Sequence, residues 1–307
     1  MKASIFLAVT SPSFADIFRG HVKRELTGSW IRSINKQPKN ARGGKALVEE
    51  SLRAEDTSDF RPLAAMMMFL MTENGKYKYD SSDKQDFSEE LRELEKQYTN
   101  YGCYCWIDGA DAGVIGGGKP EDATDFHCKE LYRCYKCVGL DYDSDYANLT
   151  YTAELRNNPF DRQIDCSMNA KEDAQNICEC DKRFAESIAQ TRQDCETGIS
   201  ASEKGGTCMN PKLRTMTGGG DFVPRSQCQK EFMNMDRDKC CGIYPNRRPY
   251  SSTEQECCEI DQSAFVGEIS GRLLEYSVTK MDTCEEQKGG RVVQSAQGNP
   301  HVYFELK

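Results

Sequence analysis

The chain has 307 residues, 40 Lys plus Arg against 49 Asp plus Glu, a net charge of -9 and 16 cysteines. No run approaches the roughly 20 apolar residues of a membrane-spanning helix, and an acidic balance argues against nucleic-acid binding. Sixteen cysteines do not suit an ordinary cytosolic protein unless they hold metal. Zinc fits poorly. Among the close pairs Cys103/Cys105, Cys134/Cys137 and Cys178/Cys180, only Cys134/Cys137 has a two-residue gap, and no His pair follows at finger spacing. His127 alone lies among the cysteines, and His301 is isolated. Disulfides in an oxidising compartment are the better reading, and they supply cross-links that a hydrophobic content of only 38% makes useful.

Residues 1–15 have the outline of a signal peptide. Lys2 gives a positive start, Ala3 to Val9 a short apolar run, and Ser13-Phe14-Ala15 a small-x-small cleavage site. Residues 16–57 are polar and weakly periodic, which predicts a propeptide or disordered linker, with Lys23-Arg24 as a processing site. The basic charge concentrates here: residues 1–46 hold nine Lys/Arg against two Asp/Glu, the remainder 31 against 47.

A first helix is expected over 62–71, with Pro62 at its start, where a missing N–H costs little, and a Met cluster for the core. A second, amphipathic helix is expected over 88–98. A third runs over 121–137, with Glu121 and Asp122 at its start and Cys128, Leu131, Cys134 or Tyr135 and Val138 on one stripe. Residues 139–165 suit a loop with a short strand pair, and Asn148-Leu149-Thr150 is a glycosylation sequon usable on secretion. A fourth helix is expected over 171–190, its apolar face made by Ala174, Ile177, Cys178, Phe184, Ala185 and Ile188. Asp181 falls on that face, so it needs a partner or a raised pKa. The expectation is a hydrogen bond from Tyr132 or Tyr135. Gly218-Gly219-Gly220 marks a boundary. Neither it nor Gly116-Gly117-Gly118-Lys119-Pro120 has phosphate-loop spacing.

Ten cysteines lie between Cys103 and Cys208 and six between Cys228 and Cys284. Both counts are even, so each cluster is expected to be bonded internally, with connectivity left open.

Tyr101-Gly102-Cys103-Tyr104-Cys105, the segment from Asp125 to Tyr135, and Cys178-Glu179-Cys180-Asp181 follow the amphipathic first helix in order. This ordered set resembles the secreted phospholipase A2 family over roughly residues 58–208. The resemblance implies a mainly α fold: a disulfide-linked helical domain at 58–210 with two long antiparallel helices and a small β-wing. A small cysteine-rich module would follow at 221–307. By the same analogy Cys105 pairs with Cys128, Cys134 with Cys180 and Cys166 with Cys178. One further family disulfide would join positions occupied here by His127 and Ser187, so both of its halves are missing together.

The family's chemistry needs a His general base, a second-helix Asp that orients it, and calcium held by loop carbonyls and a carboxylate. The resemblance places Leu131 at the base and Tyr132 at the calcium carboxylate, while Asp181 and Tyr135 are retained. Leucine moves no proton, and tyrosine is neutral near pH 7. Trp106 stands where the family's loop has its first Gly, and the loop is longer. No catalytic residue is therefore expected. The fallback base is His127, the fallback metal ligands are Asp108 and Asp111, and calcium is not required.

The paired cysteines Cys240-Cys241 and Cys257-Cys258, separated by a Gly/Pro/Tyr-rich stretch, resemble one unit of a galaxin-type repeat. The combined expectation is a secreted, catalytically silent protein with an extracellular protein, matrix or mineral partner. The alternatives are an active lipase with displaced groups and an effector that binds membrane lipid or a receptor.

Overall fold

A helix that is apolar on every side belongs inside a protein. α1, Arg61–Met71, follows that rule: Leu63 to Phe69 are all buried. In this computed structural model, residues 23–27, 61–71, 87–98, 101–105, 119–144, 149–157, 162–196, 237–261, 274–285 and 289–293 are described. The last carbonyls of α1 lack intrahelical donors, and Arg162 supplies them, its guanidinium donating to the carbonyls of Phe69 (3.2 Å) and Leu70 (2.5 Å). α2, Phe87–Tyr98, buries Leu91, Leu94 and Tyr98, which share one helical face.

α3, Ala123–Tyr142, begins at Asp122, whose carboxylate accepts from the Asp125 N–H at 2.9 Å. It ends at Asp143 in the left-handed region (φ 46°). The expected end was Cys137. The helix continues because its last turn has partners: the Asn176 side-chain amide donates to the Tyr142 hydroxyl at 2.7 Å, and Asp141 is engaged as described below.

α4, Glu172–Glu196, also outruns its expected end at 190. Thr191 is buried there, bonded to His127 at 2.9 Å. α3 and α4 are antiparallel, since His127 meets Thr191, Cys134 is bonded to Cys180, and Tyr142 meets Asn176. They share one core with α1, α2 and the residues Tyr151, Ala153 and Leu155.

Those three residues alternate along β2, Thr150–Asn157, and so point to one face. β3, Arg162–Asp165, pairs with β2 antiparallel, Leu155 opposite Ile164. A third strand was not expected. β1, Lys23–Thr27, lies parallel to β2 on its other side, with Arg24 opposite Tyr151 and Leu26 opposite Ala153. Part of the segment expected as propeptide or linker is therefore regular structure. Leu26 explains it, since it packs against the main core.

The described C-terminal residues are β-structured. β4 (Lys239–Cys241) pairs with β5 (Arg248–Tyr250), while β6 (Gln255–Asp261) lies between β7 (Leu274–Lys280) and β8 (Arg291–Val293). The expectation of a mainly α chain thus describes the body up to residue 196 and not this region. Cys241–Cys257 and Cys258–Cys284 cross-link it. Gly290 closes against the second bridge, where an added Cβ would lie 2.5 Å from the Cys258 sulfur and 2.9 Å from the Glu259 carbonyl oxygen.

The expectation that each cysteine cluster is bonded internally is corrected by Cys137–Cys240, which ties α3 to β4 across 103 residues. Counting cysteines is blind to such a bridge, because an even number of crossings leaves both counts even. Polar contacts reinforce it. The buried Arg247 guanidinium grips Asp141 at 2.5 and 3.0 Å and donates to the Gly242 carbonyl at 2.5 Å. The Tyr244 hydroxyl donates to Asp141 at 2.7 Å, and Arg248 reaches Glu130 at 3.0 Å. A two-pronged arginine on a carboxylate sheltered from water is a strong, oriented contact.

Removing the bridge with Cys137→Ala and Cys240→Ala is expected to cost about 2–4 kcal/mol. Amide exchange should rise in β4 and β5 and stay unchanged in α4. Thermal unfolding with hydrogen exchange checks this, and equal loosening of α4 would refute the local role.

Candidate functional site

Residues four apart on a helix share a face. Leu131 and Tyr135 therefore look from α3 toward α4, where Asp181 stands fully buried. Asp181 accepts hydrogen bonds from the Tyr135 hydroxyl on one oxygen and the Tyr151 hydroxyl on the other. Of the two expected donors, Tyr135 on α3 is the one that bonds, and a second donor that was not expected, Tyr151 on β2, takes the other oxygen. The signal for Tyr151 was present in the strand's alternation, which turns Tyr151, Ala153 and Leu155 inward. Only the pairing of β2 with the helices brings that hydroxyl to Asp181.

Leu131 is buried in the core and has no atom that can carry a proton. Tyr132 is buried beside it, and burial pushes its hydroxyl up to about 12, against a lesser opposing pull from Arg237. It stays neutral near pH 7. A calcium site needs hard, mostly anionic oxygen ligands. A neutral phenol at this position does not fit one, and among the described residues no group of three or more His, Cys, Asp or Glu could hold a metal ion. Asp108, Asp111 and Trp106 lie outside the described residues, as does Asn148.

His127 lies two turns from Tyr135 toward the N-terminus of α3. Its Nε2 is 2.9 Å from the Thr191 hydroxyl, which itself donates to the Ser187 carbonyl at 2.8 Å. Burial, and then Arg183, lower its pKa to about 4, so the ring is neutral at ordinary pH. The side chain is committed to bridging α3 and α4, at the place where the resemblance implies a missing disulfide. It is not brought to Asp181.

The turn before α3 is tightly held. Gly102 has φ +57°, open to glycine at little cost, and an added Cβ would sit 2.4 Å from the Asp125 carboxyl carbon. The Asp125 carboxylate, fully buried, accepts from the N–H groups of Tyr104 (2.7 Å), Cys103 (3.0 Å) and Glu121 (3.0 Å). One side chain thus fastens both ends of the chain that runs from Cys105 to Lys119. Burial raises its pKa to about 6, and the three N–H donors oppose that rise. The Tyr101 hydroxyl donates to Asp122, and the Lys129 ammonium sits 5.0 Å over the Tyr104 ring. Cys105–Cys128 staples this turn to α3, Cys134–Cys180 joins α3 to α4, and Cys166–Cys178 ties the end of β3 to α4. Cys103 is disulfide-bonded as well.

Comparison with known proteins agrees with this arrangement. The phospholipase A2 family model matches residues 85–198. The "Basic phospholipase A2 homolog 2" of Bothrops brazili is 37% identical over 91 residues, 29% of this chain and 62% of that protein. The "Phospholipase A2, membrane associated" of Rattus norvegicus is 32% identical over 107 residues, 33% of this chain and 62% of that protein. The chain therefore spans under two thirds of these relatives' length. It spans more of the "Acidic phospholipase A2" of Bitis gabonica, with 34% identity over 113 residues, 36% of this chain and 82% of that protein. With the two cross-linked helices, the strand pair and the cysteine-stapled turn in place, these matches establish that the chain belongs to the phospholipase A2 family.

Proposed function

We propose that this chain is a secreted phospholipase A2-scaffold protein that binds rather than hydrolyses, serving as an extracellular structural or matrix component. The observation that carries the reading is the environment of Asp181. Its two oxygens hold Tyr135 and Tyr151, and the adjoining positions of α3 carry Leu131 and Tyr132. A positioned general base contributes about 10²–10⁴-fold to a rate, and one oxyanion-stabilising group about 10²–10³-fold. A site lacking both is expected to give hydrolysis no faster than the buffer blank.

The acidic body supports diffuse, low-affinity attachment to calcium-bearing or mineral surfaces through collective charge. Residues 58–210 form the scaffold in this reading, and residues 221–307 form a cysteine-rich module held on α3. The cysteine content supports secretion.

The test is phospholipid hydrolysis by the oxidised full chain with and without millimolar calcium, beside calorimetric calcium titration. The expected result is no turnover and weak, multi-site or absent binding. Calcium-dependent turnover would overturn the reading and redirect attention to His127, Asp108 and Asp111. A second reading, attachment to a lipid surface, is favoured by the relative whose name reads "membrane associated". Co-sedimentation with phosphatidylcholine vesicles without hydrolysis would select it.

A further inference from the structure

We infer that Ser252 is a phosphorylation site, the acceptor for an acid-directed kinase of the secretory route, and that the added phosphate undoes the tie between its turn and Asp238. Secretion is the one part of the proposed function that this needs. A scaffold that hydrolysed lipid would carry the same acceptor.

A kinase that selects serine by charge uses a basic groove, which pairs with carboxylates beside the acceptor. Among the serines of the chain only Ser88 and Ser252 have a glutamate two residues on, Glu90 and Glu254. Ser88 lies in α2, which would have to unwind to enter such a groove. Ser252 lies in the turn that joins β5 to β6, and Thr253 and Glu254 beside it are exposed. The neighbouring hydroxyls are poorer acceptors. Ser251 is buried, Thr253 has Gln255 two residues on, and the two bond each other at 2.9 Å.

The hydroxyl of Ser252 is already oriented. Its Oγ–H donates to one Asp238 oxygen at 2.5 Å, and the Ser252 N–H donates to the other at 2.7 Å. These two bonds, the hydroxyl's first, hold the Asp238 carboxyl below the usual carboxylate range. In the transfer, Ser252 Oγ forms a bond to the γ-phosphorus of ATP. The bond from that phosphorus to the bridging oxygen breaks, ADP leaves with the electron pair, and the hydroxyl proton passes to the kinase's own base.

A phosphoserine carries a charge of about -1.5 to -2 near pH 7 and has lost the proton it gave to Asp238. Asp238 then faces an anion where it held a donor, and like charges in contact repel. Both bonds from Ser252 end on that one carboxylate, so both are lost. Asp238 stands two residues before Cys240, whose bridge to Cys137 holds this region on α3. The loosening therefore falls beside the attachment and leaves the bridge intact.

The experiment treats the oxidised full chain, Ser252→Ala and Glu254→Ala with a Ser-x-Glu-directed secretory kinase and ATP. Fragment mass spectrometry maps the phosphate, and amide exchange is followed before and after. The expected result is one phosphoryl group on Ser252, none on this turn in Ser252→Ala, and transfer about tenfold slower in Glu254→Ala. Exchange of the Ser252 amide should rise about tenfold on phosphorylation, with α4 unchanged. Asp238→Ala, without phosphate, should free the same amide. A Ser252 that takes no phosphate, transfer at an equal rate without Glu254, or a phosphorylated chain whose Ser252 amide exchanges as before overturns the inference.

Discussion

Replacing Asp125 with alanine is expected to lower stability by about 3–5 kcal/mol, because a buried donor left without its acceptor costs about 1–3 kcal/mol and three N–H groups lose theirs together. Tyr104, Cys103 and Glu121 all donate to this one carboxylate, and Gly102 packs on it. Water reaching the Glu121 amide trims the sum. Urea unfolding of the oxidised chain measures the loss, and a change under 1 kcal/mol would show that the turn finds other acceptors.

The same carboxylate carries a pH signature. Burial raises its pKa from 3.8 to about 6 in the folded protein. Between those values the folded state holds a proton that the unfolded state has released, so this group's contribution to stability falls as pH rises from 4 to 6. About two pKa units correspond to about 3 kcal/mol. Asp125→Asn cannot titrate. The stability difference, native chain minus Asn variant, should therefore shrink by about that amount between pH 4 and pH 7. A difference independent of pH would place the carboxyl in its ordinary range and refute the assignment.

Replacing Asp181 with alanine is expected to cost about 2–4 kcal/mol, since hydrogen bonds to a charged group contribute about 1.5–3 kcal/mol each and the relief of burying the charge offsets part of two of them. Tyr135 and Tyr151 point at its two oxygens from different elements, so the loss uncouples β2 from the helix pair. Asp181→Asn keeps one acceptor and should lose about half as much. Tyr135→Phe and Tyr151→Phe should each cost about 1–2 kcal/mol. Their double variant should be non-additive, because both act through one carboxylate. Chemical denaturation of the five variants decides the matter. Independent, additive tyrosine effects would sink the idea of a shared acceptor, and hydrolysis gained or lost in any of them would contradict a silent site.

Much of the helical body was legible in the residues themselves. Local rules sufficed for α1, where an apolar run follows Pro62, and for α2, where Leu91, Leu94 and Tyr98 recur at helical spacing. Asp181 announced itself as a carboxylate on an apolar stripe, and the substitutions at Leu131 and Tyr132 are visible without coordinates. These are short-range facts: a side chain's chemistry and its place in a period.

What the tertiary structure decided was which distant groups meet. Tyr151 reaches Asp181 only because β2 packs its inward face on the helix pair. His127 turns out to be bonded to Thr191, 64 residues away, and not to the acid. Cys137 crosses to Cys240, and Arg247 crosses to Asp141, although nothing near either residue in the chain marks its partner. β1 is strand because Leu26 finds the core and β2 offers an edge, not because five residues of mixed character prefer it. Periodicity reports the face a residue turns inward. The identity of what waits there depends on chain closure over tens to hundreds of residues, and it is settled by packing.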